Sequence, residues 1–149
     1  MTKVYKVSIF YFLLFTLALL ATAIALFSLK IGFSKADVLH YYLGDAEHFI
    51  VAKTALGILK IILPHIFAFG LFMMVLLHFL VFTEYRNSKQ LRYTIYTAYI
   101  TVAAELFSPF FILAGIEFFA YVKIAAFFLM SFIQVYLSYL LFHSLMQKV

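Results

Sequence analysis

Four apolar runs, each long enough to cross a bilayer, leave this chain of 149 residues few ways to fold. Val7 to Leu29, Ile61 to Thr83 and Ile124 to Gln147 hold no Asp, Glu, Lys or Arg, and Tyr93 to Ile116 holds one, Glu105. About 20 such residues cross the hydrocarbon as a helix, which satisfies its own backbone N–H and C=O groups where there is no water. The expected fold is therefore all-α: an integral membrane bundle of four transmembrane helices over roughly 5–29, 56–83, 92–116 and 120–146. The whole chain, 1–149, is one transmembrane domain, with a single sizeable outer segment over about 30–55. With 67% hydrophobic and 11% charged residues, against about 25% charged in a soluble domain, there is too little polar surface for water. The absence of cysteine excludes disulfides, thiolate metal sites, iron–sulfur clusters and thiol catalysis.

The net charge of +5 sits at the ends of the apolar runs, as membrane-flanking anchors do, and forms no basic stripe for nucleic acid. Lys3, Lys6, Arg86, Lys89, Arg92 and Lys148 fall on one side of the membrane; Lys30, Lys35, Lys53 and Lys123 fall on the other, with Lys60 at the edge of the second span. That bias, and the compact basic loop from Glu84 to Arg92, place both termini of a multi-pass membrane protein in the cytoplasm. The first run begins like a secretory signal but continues past the cleavage-like triplet Ala21-Thr22-Ala23 to Leu29, so it is expected to stay as an anchor. In the outer segment, Ser34-Lys35-Ala36-Asp37 predicts a capping box and Gly44 a stop, giving a short helix whose Val38, Leu39, Tyr41 and Tyr42 suit the interface.

Polar residues inside the spans carry what functional information there is. A charged carboxylate at the depth of Glu105 costs about 2.5–3.5 kcal/mol or more, so it is expected to face the interior, protonated or hydrogen-bonded. Thr94, Thr97, Thr101, Glu105 and Ser108 share one helix face, and Pro109 removes the hydrogen bond to the Glu105 carbonyl. His65, beside Pro64 and at similar depth, is the expected partner of Glu105. Glu105, His65, Thr101 and Ser108 are thus candidates for a proton or ion path.

Three histidines point to another chemistry. His78 and His143 lie at matched depth near the cytoplasmic ends of spans two and four, where two imidazoles can clasp a haem b. His65 lies deeper, and Gly70 offers a flat group a close approach to the backbone. The expectation that follows is a b-type haem-binding electron-transfer or redox-accessory subunit, with His78, His143, His65 and Gly70 as the cofactor residues. Two alternatives stand beside it: a structural or assembly subunit of a larger membrane complex, and a small proton or ion path through Glu105. No HExxH, P-loop, GxSxG or GxGxxG motif is present, so no catalytic residue is named and the identity of any metal stays open. The expected partners are the lipid bilayer and other membrane subunits or further copies of the chain, not nucleic acid.

The run from Tyr42 to Thr83 contains Leu43-Gly44-Asp45, Phe49-Ile50, Lys53, Pro64-His65, Phe67, Gly70, His78 and Phe82. In these residues it resembles a set of uncharacterised small four-helix bacterial membrane proteins. The resemblance implies a bacterial inner membrane and brings no activity with it.

Overall fold

The structure, a computed structural model, describes residues 3–147. It contains α1 (Lys3–Lys30), α2 (Lys35–Leu43), α3 (Ala55–Val81), a single 3-10 turn (Glu84–Asn87), α4 (Lys89–Leu113) and α5 (Phe119–Met146). Four of these, α1, α3, α4 and α5, are long and apolar enough to cross a membrane. Among the described residues there is no strand, only an isolated bridge between Asp45 and Ile50. The chain runs up, down, up and down, so the start of α1, the 3-10 turn and the end of α5 share one end of the bundle. There Lys6 donates from Nζ to the Leu145 carbonyl at 3.2 Å, covering one of the acceptors that a helix C-terminus leaves unsatisfied. Lys148, counted above with the basic end, lies outside the described residues.

The middle of the bundle is α5. It packs most extensively on α4 and also touches α1, α2 and α3, and its buried face includes Phe127, Met130, Ile133, Leu137 and Leu141. The α4–α5 connection is short because α4 ends in a Schellman turn. Gly115 takes φ +87°, its N–H donates to the Ile112 carbonyl, and the Ile116 N–H donates back to Phe111. This turn stops α4 at Leu113, three residues before the boundary expected from hydropathy. By contrast, α1 and α3 hardly approach each other backbone to backbone. At the Lys6 end they meet through rings, with Phe12 stacked on Phe72 at 5.8 Å and Tyr5 edge-on to both Phe79 and Phe82. At the other end α1 leans on α5 instead, with Phe27 stacked on Phe127 at 4.0 Å.

The short helix α2 closes that second end. Ser34 caps it by accepting from the Asp37 N–H, while the Asp37 carboxylate accepts from the Ser34 N–H, completing the capping box. Its apolar face is turned into the bundle rather than to lipid headgroups: Val38 and Tyr42, one turn apart, are buried with Ile58, Ile62, Leu106 and Ile112. A Lys35–Glu117 ion pair of 2.6 Å ties α2 to the α4–α5 turn. Beyond α2, Asp45 organises the loop back to α3. Its carboxylate lies 2.7 Å from His48 Nδ1 and 3.2 Å from His40 Nδ1, and it accepts from the Glu47 N–H.

The His48 hydrogen bond holds the Asp45 carboxyl below the ordinary carboxylate range, burial working against it and the Glu47 and His48 N–H groups reinforcing it. For an acid whose value is depressed on folding, the stabilisation is complete above the ordinary carboxylate value and is lost as pH falls through the depressed one. Acidification below the ordinary carboxylate range is therefore expected to lower the hydrogen-exchange protection factors, taken against the intrinsic rate at each pH, of the Asp45 and Ile50 amides, each of which donates to the other residue's carbonyl at 2.8 Å. Asp45→Asn is expected to remove that pH dependence.

Candidate functional site

The bundle interior contains a buried ion pair. Glu105 on α4 and Lys123 on α5 are 8% and 6% exposed, and Lys123 Nζ donates to Glu105 Oε1. A second hydrogen bond of 2.9 Å runs from Lys123 Nζ to the Glu105 main-chain carbonyl. That carbonyl is free because Pro109, four residues on, has no N–H to offer it. The Ser108 hydroxyl adds a third contact, donating to the same oxygen at 3.1 Å. One residue thus presents both a carboxylate and an unclaimed carbonyl to a single ammonium group. The Gly115 turn brings Lys123 into register with them, Glu105 lying eight residues before the end of α4 and Lys123 four residues after the start of α5. Above the pair lies Tyr42 of α2. Burial, and next the charge of Glu105, push its phenol above the ordinary tyrosine range.

Beside the pair is a cavity of about 500 Å³ between α1, α3, α4 and α5, roofed by Tyr41 and Tyr42. Its walls are mostly apolar, with Leu, Ile and Phe the commonest residues; its charged groups are Glu105, Lys123 and Lys30. From Lys123 the buried face of α5 continues as Phe127, Ser131, Gln134 and Ser138, at i+4, i+8, i+11 and i+15. Ser131 returns its hydroxyl to the Phe127 carbonyl at 2.8 Å, whereas the Ser138 hydroxyl is buried with no hydrogen-bond partner among the described residues. The Tyr5 hydroxyl, on α1, is buried without a partner in the same way.

The residues expected from sequence fall in three groups. Glu105, Thr101 and Ser108 share the buried face of α4, while Thr94 is half-buried and Thr97 exposed. His65 lines the cavity, but its Nδ1 lies 2.6 Å from the Ile61 carbonyl one turn back. The expected pairing of Glu105 with His65 is thus corrected: Lys123 holds Glu105. The reason is that Lys123 stands a full turn inside α5, where lipid offers it no water, instead of flanking the membrane with Lys30, Lys35 and Lys53.

His78 and His143 do lie in the last turns of α3 and α5, at one end of the bundle. His143 Nδ1 is 2.7 Å from the Tyr85 hydroxyl, and the exposed His78 ring meets Phe82 edge-on at 5.2 Å. Gly70 is exposed, and a Cβ built there meets nothing within 4 Å. Among the described residues no three His, Asp or Glu side chains are grouped to hold a metal ion.

Comparison with known proteins agrees with this architecture. Residues 32–149 match the Aq_1264_TM family, described as a transmembrane helical domain, and the chain belongs to that family. The match covers α2 to α5, and therefore both members of the ion pair. No curated protein and no solved structure matches the chain significantly.

Removing one member of a buried pair strands the other, at a cost of about 3–5 kcal/mol, whereas removing both is often close to neutral. Glu105→Gln and Lys123→Met are each expected to lower the thermal unfolding midpoint in detergent, and the double variant to recover most of the loss. Gly70→Ala is expected to stabilise α3 by about 0.5–1 kcal/mol, because glycine weakens a helix interior and the new methyl group has open space.

Proposed function

We propose that the protein is a small membrane-embedded proton carrier, with Glu105 and Lys123 as its exchange site and the buried polar face of α5 as its route. The observation that carries this reading is a carboxylate and an ammonium paired with each other and buried within the spans beside a cavity. Ionisable residues in such positions mark proton and substrate pathways. One proton passed from Lys123 Nζ to Glu105 Oε1 converts the ion pair into an amine and a carboxylic acid, both neutral. The acid then delivers the proton toward Ser131 and Gln134, and the amine regains one from water in the cavity.

Below Gln134 the buried hydroxyls of Ser138 and Tyr5, each without a partner among the described residues, are places where a bridging water restores hydrogen bonding. Lys123 to Ser138 is fifteen residues of helix, about 22 Å, most of the hydrocarbon thickness. In this reading the membrane is a bacterial inner membrane, with the basic end that carries Lys6, Arg86, Lys89 and Arg92 in the cytoplasm. The haem b expected between His78 and His143 draws nothing from the cavity, whose lining contains neither imidazole.

The test is proton uptake into liposomes that contain the purified chain and a pH-sensitive dye, driven by a potassium diffusion potential. Wild-type protein is expected to acidify the lumen faster than protein-free liposomes, Glu105→Gln to fall to the protein-free rate, and Ser138→Ala to lie between. Wild-type liposomes no faster than empty ones would overturn the reading.

A further inference from the structure

Three observations about the cavity go beyond a proton site, and they do not depend on it. The first is its walls. At the Lys6 end the cavity reaches Phe72, whose ring stacks on Phe12, and at the other end it meets Tyr41 and Tyr42 of α2. Between these ends α1 and α3 hardly touch, and the lips of the gap, Leu19 and Leu26 on α1 and Ile61 on α3, are exposed on the side that faces lipid. The way in is therefore lateral, from the bilayer.

The second observation is charge. Two ammonium groups, Lys30 and Lys123, line the cavity against one carboxylate, Glu105, which leaves one positive charge in excess. Lys123 has three N–H donors, and Glu105 takes two of them, one at Oε1 and one at its carbonyl. One donor remains for a ligand.

The third is polarity along the cavity. Both ammonium groups lie toward the α2 end, Lys30 in the last turn of α1 and Lys123 one turn inside α5. The opposite end is walled by Leu19, Phe69, Phe72 and Met130, with Gln134 as its polar group and no charge. A volume of about 500 Å³ is ample for one acyl chain and falls within the ordinary range of ligand sites.

From this we infer that the cavity binds a single-chain amphiphile with a carboxylate head, a long-chain fatty acid, entering sideways between α1 and α3. Its head meets Lys30 and the remaining Lys123 donor, and its tail lies toward Phe72. The orientation is the one such a molecule already has in the outer part of a leaflet, so it enters without turning over.

The experiment measures binding of isotope-labelled palmitate to the full chain in mild detergent, with methyl palmitate and hexadecanol as competitors. No gradient is involved, so the result is independent of proton uptake. Wild-type protein is expected to hold a single equivalent of palmitate, and the ester and the alcohol to compete about tenfold or more weakly, the worth of one charged hydrogen bond. Lys30→Gln is expected to weaken palmitate by about tenfold and leave hexadecanol unchanged. Ala23→Phe, which places a ring in the cavity from α1, is expected to abolish binding while the helical circular dichroism stays that of wild type. Lys123→Met carries the pair's folding cost, so Lys30→Gln and Ala23→Phe decide the question. Equal competition by methyl palmitate, unchanged binding to Ala23→Phe, or no retained palmitate would each overturn the proposal.

Discussion

A proline four residues beyond a glutamate leaves one main-chain carbonyl without its helical donor, in a medium that has no water to supply another. An unsatisfied carbonyl in hydrocarbon costs several kcal/mol, so something in the bundle has to answer it. Lys123 does so, with the Ser108 hydroxyl beside it, and it brings a charge that in turn requires the Glu105 carboxylate. The three needs close on one another: Pro109 frees the carbonyl, the carbonyl and carboxylate together hold the ammonium, and the ammonium neutralises the carboxylate. Their geometry depends on the Gly115 turn, which sets α4 and α5 side by side at the right register. The α4–α5 hairpin is accordingly the most tightly joined part of the molecule.

The rest of the bundle is held by weaker means. Lipid tails are as apolar as Leu, so burying a Leu of α1 against α5 gains dispersion contacts and little hydrophobic free energy. Aromatic stacking fills that role, with Phe27 on Phe127 at one end of α1 and Phe12 on Phe72 and Phe79 at the other. Because α1 leans on α5 at the α2 end and on α3 at the opposite end, a space remains between α1 and α3 on the α2 side. The cavity is a consequence of that crossing, and the ion pair lies on its floor because α4 and α5 form the floor.

Much of this was legible in the sequence, and the part that was not has a definite cause. The apolar runs, the Ser34–Asp37 capping box, the Gly44 stop, the buried stripe of Thr101, Glu105 and Ser108, and the carbonyl released by Pro109 all follow from local pattern. Local pattern assigns Lys123 to the membrane edge because a lone lysine near the end of an apolar run is ordinarily an anchor that reaches back to headgroups. Its burial depends on a partner eighteen residues away and on the exact end of α4, which hydropathy places three residues late. The one available signal was that the run from Phe118 to Val122 before Lys123 is itself apolar, which puts the lysine a turn inside the helix. His65 had a plausible depth but no way to reveal that it turns back on Ile61. The apolar content of α2 suits the membrane interface equally well, and its docking onto α4 and α5 is a tertiary choice that local pattern does not encode.

The central claim is that Lys123 lies inside the bundle on Glu105 and not at the headgroups. It is tested most directly by solid-state NMR of the protein in bilayers, measuring dipolar contact between 15N-labelled lysine Nζ and 13C-labelled glutamate Cδ. The Lys35–Glu117 pair contributes its own contact at 2.6 Å, so the measurement is made on Lys35→Gln, which silences it. A strong Lys–Glu contact that survives in that variant, and disappears when Lys123 is also replaced, is the expected result. No remaining Lys–Glu contact in Lys35→Gln would place Lys123 at the membrane surface and contradict the account.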